Sequence, residues 1–293
     1  MATAEATPQE RYLVGLVGAG IATSVTPALH ERAADRLGLR YLYQLLDLDR
    51  LALGADAIGS LLAGARRFGF RGLNVTHPCK QAVVRHLDDL SADAAAVQAV
   101  NTIVFEDGRA VGHNTDTFGF EQGFRRGLGD AGVGLVVLLG AGGAGAAVAT
   151  AMLRLGAGRV VVVDPDAARA RCLVESAGSR FGRGRVEVGL LERVGEHLER
   201  ADGLINASPV GMAGHDGTPV DPGLLPPHVW VADLVYRPLR TRLLGEARRQ
   251  GCRTLDGGGM AVFQAVRAFE IFTGHAPGVD EMLADFEELA ARA

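Results

Sequence analysis

Lysine is almost missing from this chain. Of thirty basic residues, twenty-nine are arginine and one, Lys80, is lysine. Arg and Lys serve equally well on most solvated surfaces, so a drift toward Arg can erase Lys nearly everywhere. It cannot erase Lys where the group must release a proton, because a guanidinium stays charged at any working pH whereas an ammonium can be tuned toward neutrality. The count alone leaves open that one Lys survived by chance. Cysteine is also sparse. Cys79, Cys172 and Cys252 lie far apart and form no CxxC, so they read as reduced thiols in a reducing compartment. The eight His show no metal-ligand spacing, and no metal is expected. A net charge of −4 leaves no basic excess for a nucleic-acid surface. The opening MATAEATPQE lacks a basic-then-apolar leader pattern, so the chain is read as cytoplasmic, with residues 1–10 loose. No internal repeat, low-complexity linker or GxSxG around Ser208-Pro209 is present, which argues against a serine hydrolase.

One segment invites a membrane reading. Leu135 to Leu153 runs nineteen residues without a charge, but its centre is Gly140-Ala-Gly-Gly-Ala-Gly145. A strand, a glycine turn and a small-residue helix explain it better than a span.

What is abundant is apolar residues (48%) and glycine (40 of 293 residues, about twice the usual share). Apolar runs alternate with helical stretches along the whole chain, which implies parallel strands covered on both faces. Strands are expected at 12–18, 41–46, 73–76, 101–105 and 110–112, the last two flanking Asp107-Gly108, a hairpin signal. Helices are expected at 27–37, 56–68, 78–87 and 117–126, with Ser91 capping a short Ala-rich helix. The second half restarts at Leu135–Leu139 and continues with strands near 159–163, 185–188, 203–205, 229–232 and 253–255, and helices at 260–272 and 279–291 close the chain. The expected organisation is α/β with two domains. Residues 11–118 plus 258–293 form an N-terminal α/β substrate domain to which the last helices return, and 119–257 form a Rossmann-type parallel-sheet nucleotide domain.

Gly140, Gly142 and Gly145 make G-x-G-x-x-G directly after an apolar strand and before a helix. The first allows the tight turn, the second lets backbone approach a pyrophosphate, and the third lets helix and strand pack closely. With Ala141, Gly143 and Ala144 they form a cofactor loop whose following amides face phosphate. The next strand ends in Asp164, nineteen residues past Gly145, where an acid hydrogen-bonds both ribose hydroxyls of NAD. A 2′-phosphate would meet Asp164 and Asp166, and the nearest base, Arg169, lies on the following helix. NAD is therefore expected over NADP. The alternative is that Asp164 merely caps that helix.

Lys80 closes Gly72-Leu-Asn-Val-Thr-His-Pro-Cys-Lys80, a strand that delivers Asn74 and Thr76 to a rim before Pro78 starts a helix. A cation on that first turn opposes the helix dipole, as suits a general base. Asp116 ends Gly112-His-Asn-Thr-Asp116 and could orient Lys80, or form a structural ion pair with it. Ser24-Val-Thr-Pro27 puts two hydroxyls at a helix start, with Thr26 as N-cap; it reads as a small-anion site or as a plain capped helix. His113 is read as structural, and Arg66-Arg67 and Arg248-Arg249 as solvated helix faces.

Taken in order, Ser24-x-Thr26-Pro27-x-x-His30, Asn74-Val-Thr76-x-Pro78-x-Lys80, Ala99-Val-Asn101-Thr102, Asn114-Thr-Asp116, the glycine loop, Asn206-Ala-Ser-Pro-Val-Gly-Met212, Asp233-Leu-Val-Tyr236-x-Pro238 and Met260-Ala-Val-Phe-Gln264 resemble the shikimate/quinate dehydrogenase family over nearly the whole chain. The resemblance implies a substrate domain, a nicotinamide domain and a cleft between them, with Lys80 and Asp116 as catalytic pair. It implies that Ser24 and Thr26 hold a substrate carboxylate with Tyr236 nearby, and that Thr76, Asn101 and Gln264 bind ring hydroxyls. Leu234 and Gly257 would line the nicotinamide side and Ala207-Ser208 the cofactor edge.

Some positions depart from the family pattern. Thr26 stands where dedicated shikimate enzymes usually carry Ser, and acidic Asp164 stands where NADP-using relatives carry an Asn-Arg-Ser/Thr stretch. Asp164, Arg169 and Thr26 together resemble the NAD-dependent quinate/shikimate branch. The expected partner is a small cyclic polyol carboxylate, with no nucleic acid and no membrane, and a homodimer is left open. Alternatives are a dehydrogenase of aminated rings (aminoshikimate or aminoquinate) and an NAD-binding regulator without catalysis.

Overall fold

The computed structural model describes residues 10–292; of the stretch expected to be loose, residues 1–9 lie outside the described residues. The chain divides into two compact units, one reaching to Thr115 and resuming at Ala265, the other Asp116–Gln264. The division falls inside a helix, Gly258–Thr273, whose first residues belong to the second unit and whose later ones belong to the first.

The first unit is a mixed sheet. Its strands are β1 (Arg11–Gly18), β2 (Arg40–Asp47), β3 (Gly72–Val75), β4 (Asp89–Leu90), β5 (Thr102–Glu106) and β6 (Arg109–His113), in the order β2-β1-β3-β5-β6-β4. β1 pairs parallel with β2 and β3, whereas β3–β5 and β5–β6 are antiparallel. The β5–β6 turn is Asp107-Gly108 with φ of 48° and 75°, the two positive values a type I′ hairpin requires. Successive residues of β1 enter different cores. Val14 and Leu16 pack with Tyr43, Ala268 and Phe272, while Val17 packs with Ile58, Leu62 and Leu73, the two-residue period of a strand buried on both sides.

The second unit is all parallel: β7 (Leu135–Leu139), β8 (Arg159–Val163), β9 (Val186–Val188), β10 (Gly203–Asn206), β11 (Trp230–Asp233) and β12 (Thr254–Leu255), in the order β12-β11-β10-β7-β8-β9. The order reverses between β7 and β10, the switch point at whose carboxyl ends doubly wound folds place their ligand. Val136, Leu138, Val160 and Val162 enter one core, and Val137, Leu139, Val161 and Val163 the other. The charge-free run is thus a strand, a turn and the helix Gly143–Arg154, and among the described residues no helix is long and apolar enough to cross a membrane. Trp230 packs edge-on against Phe124 at 5.1 Å, and its indole N–H donates to the Gly132 carbonyl at 2.8 Å. Its register partner is Gly203, where any Cβ would overlap the indole.

Two local expectations are corrected. The helix expected over 78–87 is one α-turn, Cys79–Ala82, followed by a 3-10 turn at Val84–His86. Val83 and Val84 are β-branched and hold a helix poorly; Val83 is buried with Cys79, and Leu87 is already extended. With four residues of aligned peptides the dipole argument for Lys80 loses most of its force. The helix expected from Pro27 begins at Thr26, and its cap position is Val25, not Thr26. Pro27 tolerates the shift because its missing N–H falls among first-turn amides that lack an intrahelical acceptor anyway.

Candidate active site

In the first unit, polar side chains gather where β3, β5 and β6 end. Asn101, just before β5, is buried. Its Oδ1 accepts from the Thr115 amide at 2.8 Å and the Thr102 hydroxyl at 3.1 Å, and its Nδ2 donates to the Thr115 hydroxyl at 2.9 Å. Those bonds fix which way the amide faces. Asn74 on β3 donates through Nδ2 to the Thr102 hydroxyl at 3.0 Å and the Asn101 carbonyl at 3.2 Å, and accepts from the Tyr43 hydroxyl at 2.7 Å. Asn74 and Thr115 are thus site residues in support of Asn101 that the motif reading did not single out for a role.

Lys80 joins the same cluster through backbone: its carbonyl accepts from the Val100 amide at 2.8 Å. Thr76 follows β3, and Gly18 at the end of β1 leaves room for it, since a Cβ there would overlap the Thr76 methyl. Asp116 follows Thr115 directly, is buried, and opens the helix Asp116–Leu128. Ser24 donates its hydroxyl to the Thr26 hydroxyl at 3.0 Å, which keeps the two oxygens side by side at the helix start. His113 is held toward neutrality by burial first and by Arg267 second.

In the second unit the glycine loop lies at the switch point. Gly140 has φ 99°, and a Cβ there would come within 2.9 Å of the Ala207 carbonyl. A Cβ on Gly145 would overlap the Gly140 carbonyl, while one on Gly142 would meet open space. Gly142 occupies the cap of the helix Gly143–Arg154 with no side chain capping its amides, which leaves donors for a phosphate. The loop therefore fits a dinucleotide pyrophosphate. Gly257 backs directly onto the Leu234 carbonyl, again with no space for a side chain.

Asp164 does not cap the following helix; Asp166 does, accepting from the Ala168 and Arg169 amides at 2.9 and 3.2 Å. These amides, Arg169's first, hold Asp166 below the usual carboxylate range. Asp164 instead accepts from the Ala141 amide at 2.7 Å and the Asp166 amide at 2.8 Å, so it fastens the glycine loop to the end of β8. Arg169 bonds Asp166 at 3.1 Å and lies 3.8 Å from Asp164. Tyr236 is 40% exposed, and Gln264 sits half-buried on the helix Gly258–Thr273. Asn206 and Asp233, buried at the ends of β10 and β11 beside Ala207-Ser208 and Leu234, open two of the matched motifs but were given no role from sequence. Among the described residues no cluster of three or more His, Cys, Asp or Glu could hold a metal ion.

The comparisons with known proteins agree on one family. Residues 16–103 match the shikimate dehydrogenase substrate binding domain, and residues 257–284 the shikimate 5'-dehydrogenase C-terminal domain. A shikimate dehydrogenase (NADP(+)) of Streptomyces avermitilis is 58% identical over 97% of this chain and 98% of its own. A quinate/shikimate dehydrogenase (NAD(+)) of Corynebacterium efficiens is 46% identical over 96% of this chain and 99% of its own. The solved quinate dehydrogenase of Corynebacterium glutamicum in complex with NAD superposes with a TM-score of 0.89 at 41% identity, covering 96% of this chain and 100% of that one. With the glycine loop at the switch point of one sheet and the Asn101–Lys80 cluster at the edge of the other, the chain belongs to the shikimate dehydrogenase family of NAD(P)-dependent oxidoreductases.

Proposed function

We propose that this enzyme oxidises a ring hydroxyl of quinate or shikimate reversibly to the 3-dehydro ketone, with NAD preferred over NADP. In this reading residues 11–118 plus 258–293 bind substrate and 119–257 bind cofactor. The observation that carries it is the fastening of the Lys80 turn to the strand approach that presents Asn101, through the Val100 amide and the Lys80 carbonyl. The chain's one lysine is thereby tied to a preorganised amide able to hold a neighbouring hydroxyl.

A bound nicotinamide supplies the hydride acceptor. Lys80 receives the proton of the hydroxyl being oxidised, and Asp116 is its acidic partner. Asn101, held by Thr102 and Thr115, meets the ring hydroxyls together with Thr76 and Gln264. The adjacent hydroxyls of Ser24 and Thr26, with Tyr236, receive the carboxylate. On the cofactor side, residues 140–145 take the pyrophosphate, Asp164 the adenosine ribose, Ala207, Ser208, Leu234 and Gly257 the nicotinamide half, and Arg169 closes the ribose end.

Support for NAD is the carboxylate pair Asp164 and Asp166 at that ribose end, where a 2′-phosphate meets like charge. A second reading, NADP, is favoured by the name of the Streptomyces relative and by Arg169, a cation within reach of the same spot. Initial rates with quinate and shikimate, each with NAD and NADP, decide among these. Turnover fastest with NAD is expected. A higher kcat/KM with NADP overturns the cofactor preference, and no turnover in any combination overturns the whole assignment.

A further inference from the structure

Asn206 and Asp233 are fully buried polar residues, at 0% and 1% exposure. Every polar atom of the pair is engaged. Asn206 Nδ2 donates to Asp233 Oδ1 at 2.9 Å and to the Val210 carbonyl at 3.0 Å, and its Oδ1 accepts from the amide and hydroxyl of Ser208 at 3.0 and 2.6 Å. Asp233 Oδ1 also accepts from the Val235 amide at 3.1 Å, and Oδ2 accepts from the Thr241 hydroxyl at 2.7 Å. Thr241 in turn caps the helix Arg242–Arg249. Burial pushes the Asp233 carboxyl above its ordinary value, opposed by the bonds from Thr241, Val235 and Asn206. An acid in an apolar core with no cation among its contacts costs stability, so its presence calls for a use.

The place in the fold supplies one. The network fixes two short backbone segments, Ala207-Ser208 and Leu234-Val235, and the Leu234 amide donates to the Asn206 carbonyl at 2.9 Å, locking one to the other. The first segment is the surface on which Gly140 rests, and the second is the surface on which Gly257 rests. A shift of the first moves the wall of the glycine turn, and a shift of the second moves the backbone that Gly257 meets.

We propose that Asp233 is a positioning residue for the dinucleotide: through Asn206, Val235 and Thr241 it sets the two loop backbones bounding Gly140 and Gly257, by hydrogen bonding and not by charge. This rests on the reading of the second unit as the cofactor unit. Asp233→Asn keeps the acceptor for Asn206 and Val235 and can donate to the Thr241 hydroxyl, whereas Asp233→Ala leaves three donors unpaired.

The test titrates NAD onto the full chain by calorimetry, for wild type, Asp233→Ala, Asp233→Asn and Thr241→Val, with thermal midpoints and shikimate or quinate KM at saturating cofactor. Asp233→Ala should raise the NAD Kd about tenfold or more, Thr241→Val by less, and Asp233→Asn by under about threefold, with polyol KM within about twofold throughout. A folded Asp233→Ala chain with wild-type NAD affinity overturns the proposal, as does Asp233→Asn losing affinity as far as Asp233→Ala. Should Asp233→Ala yield no folded protein, an unchanged Kd in Thr241→Val overturns it equally. A wild-type chain that binds neither NAD nor NADP sinks the cofactor reading and this proposal together; wild-type binding with an indifferent Asp233→Ala sinks this proposal alone.

Discussion

The two sheets end in polar groups of different kinds. At the first unit's edge they are side chains: Asn101 is held by Thr102 and Thr115, Asn74 bonds Thr102, and the Lys80 turn is tied in through its backbone carbonyl. At the second unit's edge they are backbone amides, bared by glycines and braced from behind by Asp164. Side-chain amides and hydroxyls can tell one arrangement of ring hydroxyls from another, because an unmatched group is left unpaired. A helix N-terminus accepts any phosphate, so discrimination among dinucleotides falls to the few charged side chains at its rim.

The sharpest break of this contrast is Lys80→Ala. It should lower kcat at least ~100-fold, the usual scale for a general acid–base group, and leave the NAD Kd from calorimetry within about twofold. Near-normal kcat would remove Lys80 from the chemistry. The complementary change is Gly145→Ala, whose methyl overlaps the Gly140 carbonyl. It should weaken NAD on the order of tenfold and destabilise the fold by roughly 1–3 kcal/mol, as overpacking does. Unaltered NAD affinity and an unaltered melt would show that the loop has slack it does not display.

A third break separates the units by pH. His30, wholly buried among Tyr41, Tyr43, Phe269 and Phe272, is pushed down to about 3 by desolvation, from 6.5. The unfolded chain then takes the proton more readily than the folded one. This group's stabilisation is full above pH 6.5 and is lost as pH falls toward 3, by about 1.4 kcal/mol per pH unit within that window. Asp233 has the opposite sign. Its raised value makes the neutral form the favoured one, so its contribution is greatest at low pH and is lost as pH climbs from 3.8 through the folded value. Thermal midpoints against pH should therefore fall more gently below 6.5 in His30→Phe than in wild type. Parallel curves would mean that His30 is reached by water or a proton within the fold.

Legibility followed how residue-specific each requirement was. Gly140, Gly145 and Gly108 could be assigned because positive φ or close backbone contact admits little else, and the alternating valines of β8 could be assigned because a doubly buried strand leaves no polar option. The Thr26 cap was misplaced by one residue because a Thr-Pro pair is compatible with two neighbouring helix starts. The helix at Lys80 was drawn too long because Val83 answers to the core it packs into, not to local propensity. Asp164 was read as a cofactor-side acid, and its grip on the Ala141 amide could not be foreseen, since loop-to-loop bonds depend on where β7 and β8 end in space. Asn74, Thr115, Asn206 and Asp233 look like any polar residue at a strand end until the neighbouring strand is known.

The arrangement of rings gives each unit its own optical signature. The single indole, Trp230, is sealed against Phe124 and the Gly132 carbonyl in the second unit, whereas Tyr12, Tyr41 and Tyr43, three of the four phenols, belong to the first. Emission selected for tryptophan follows the melting of one unit, and phenol absorbance chiefly that of the other. Unlabelled protein can thus report whether the halves come apart in a single step or in succession.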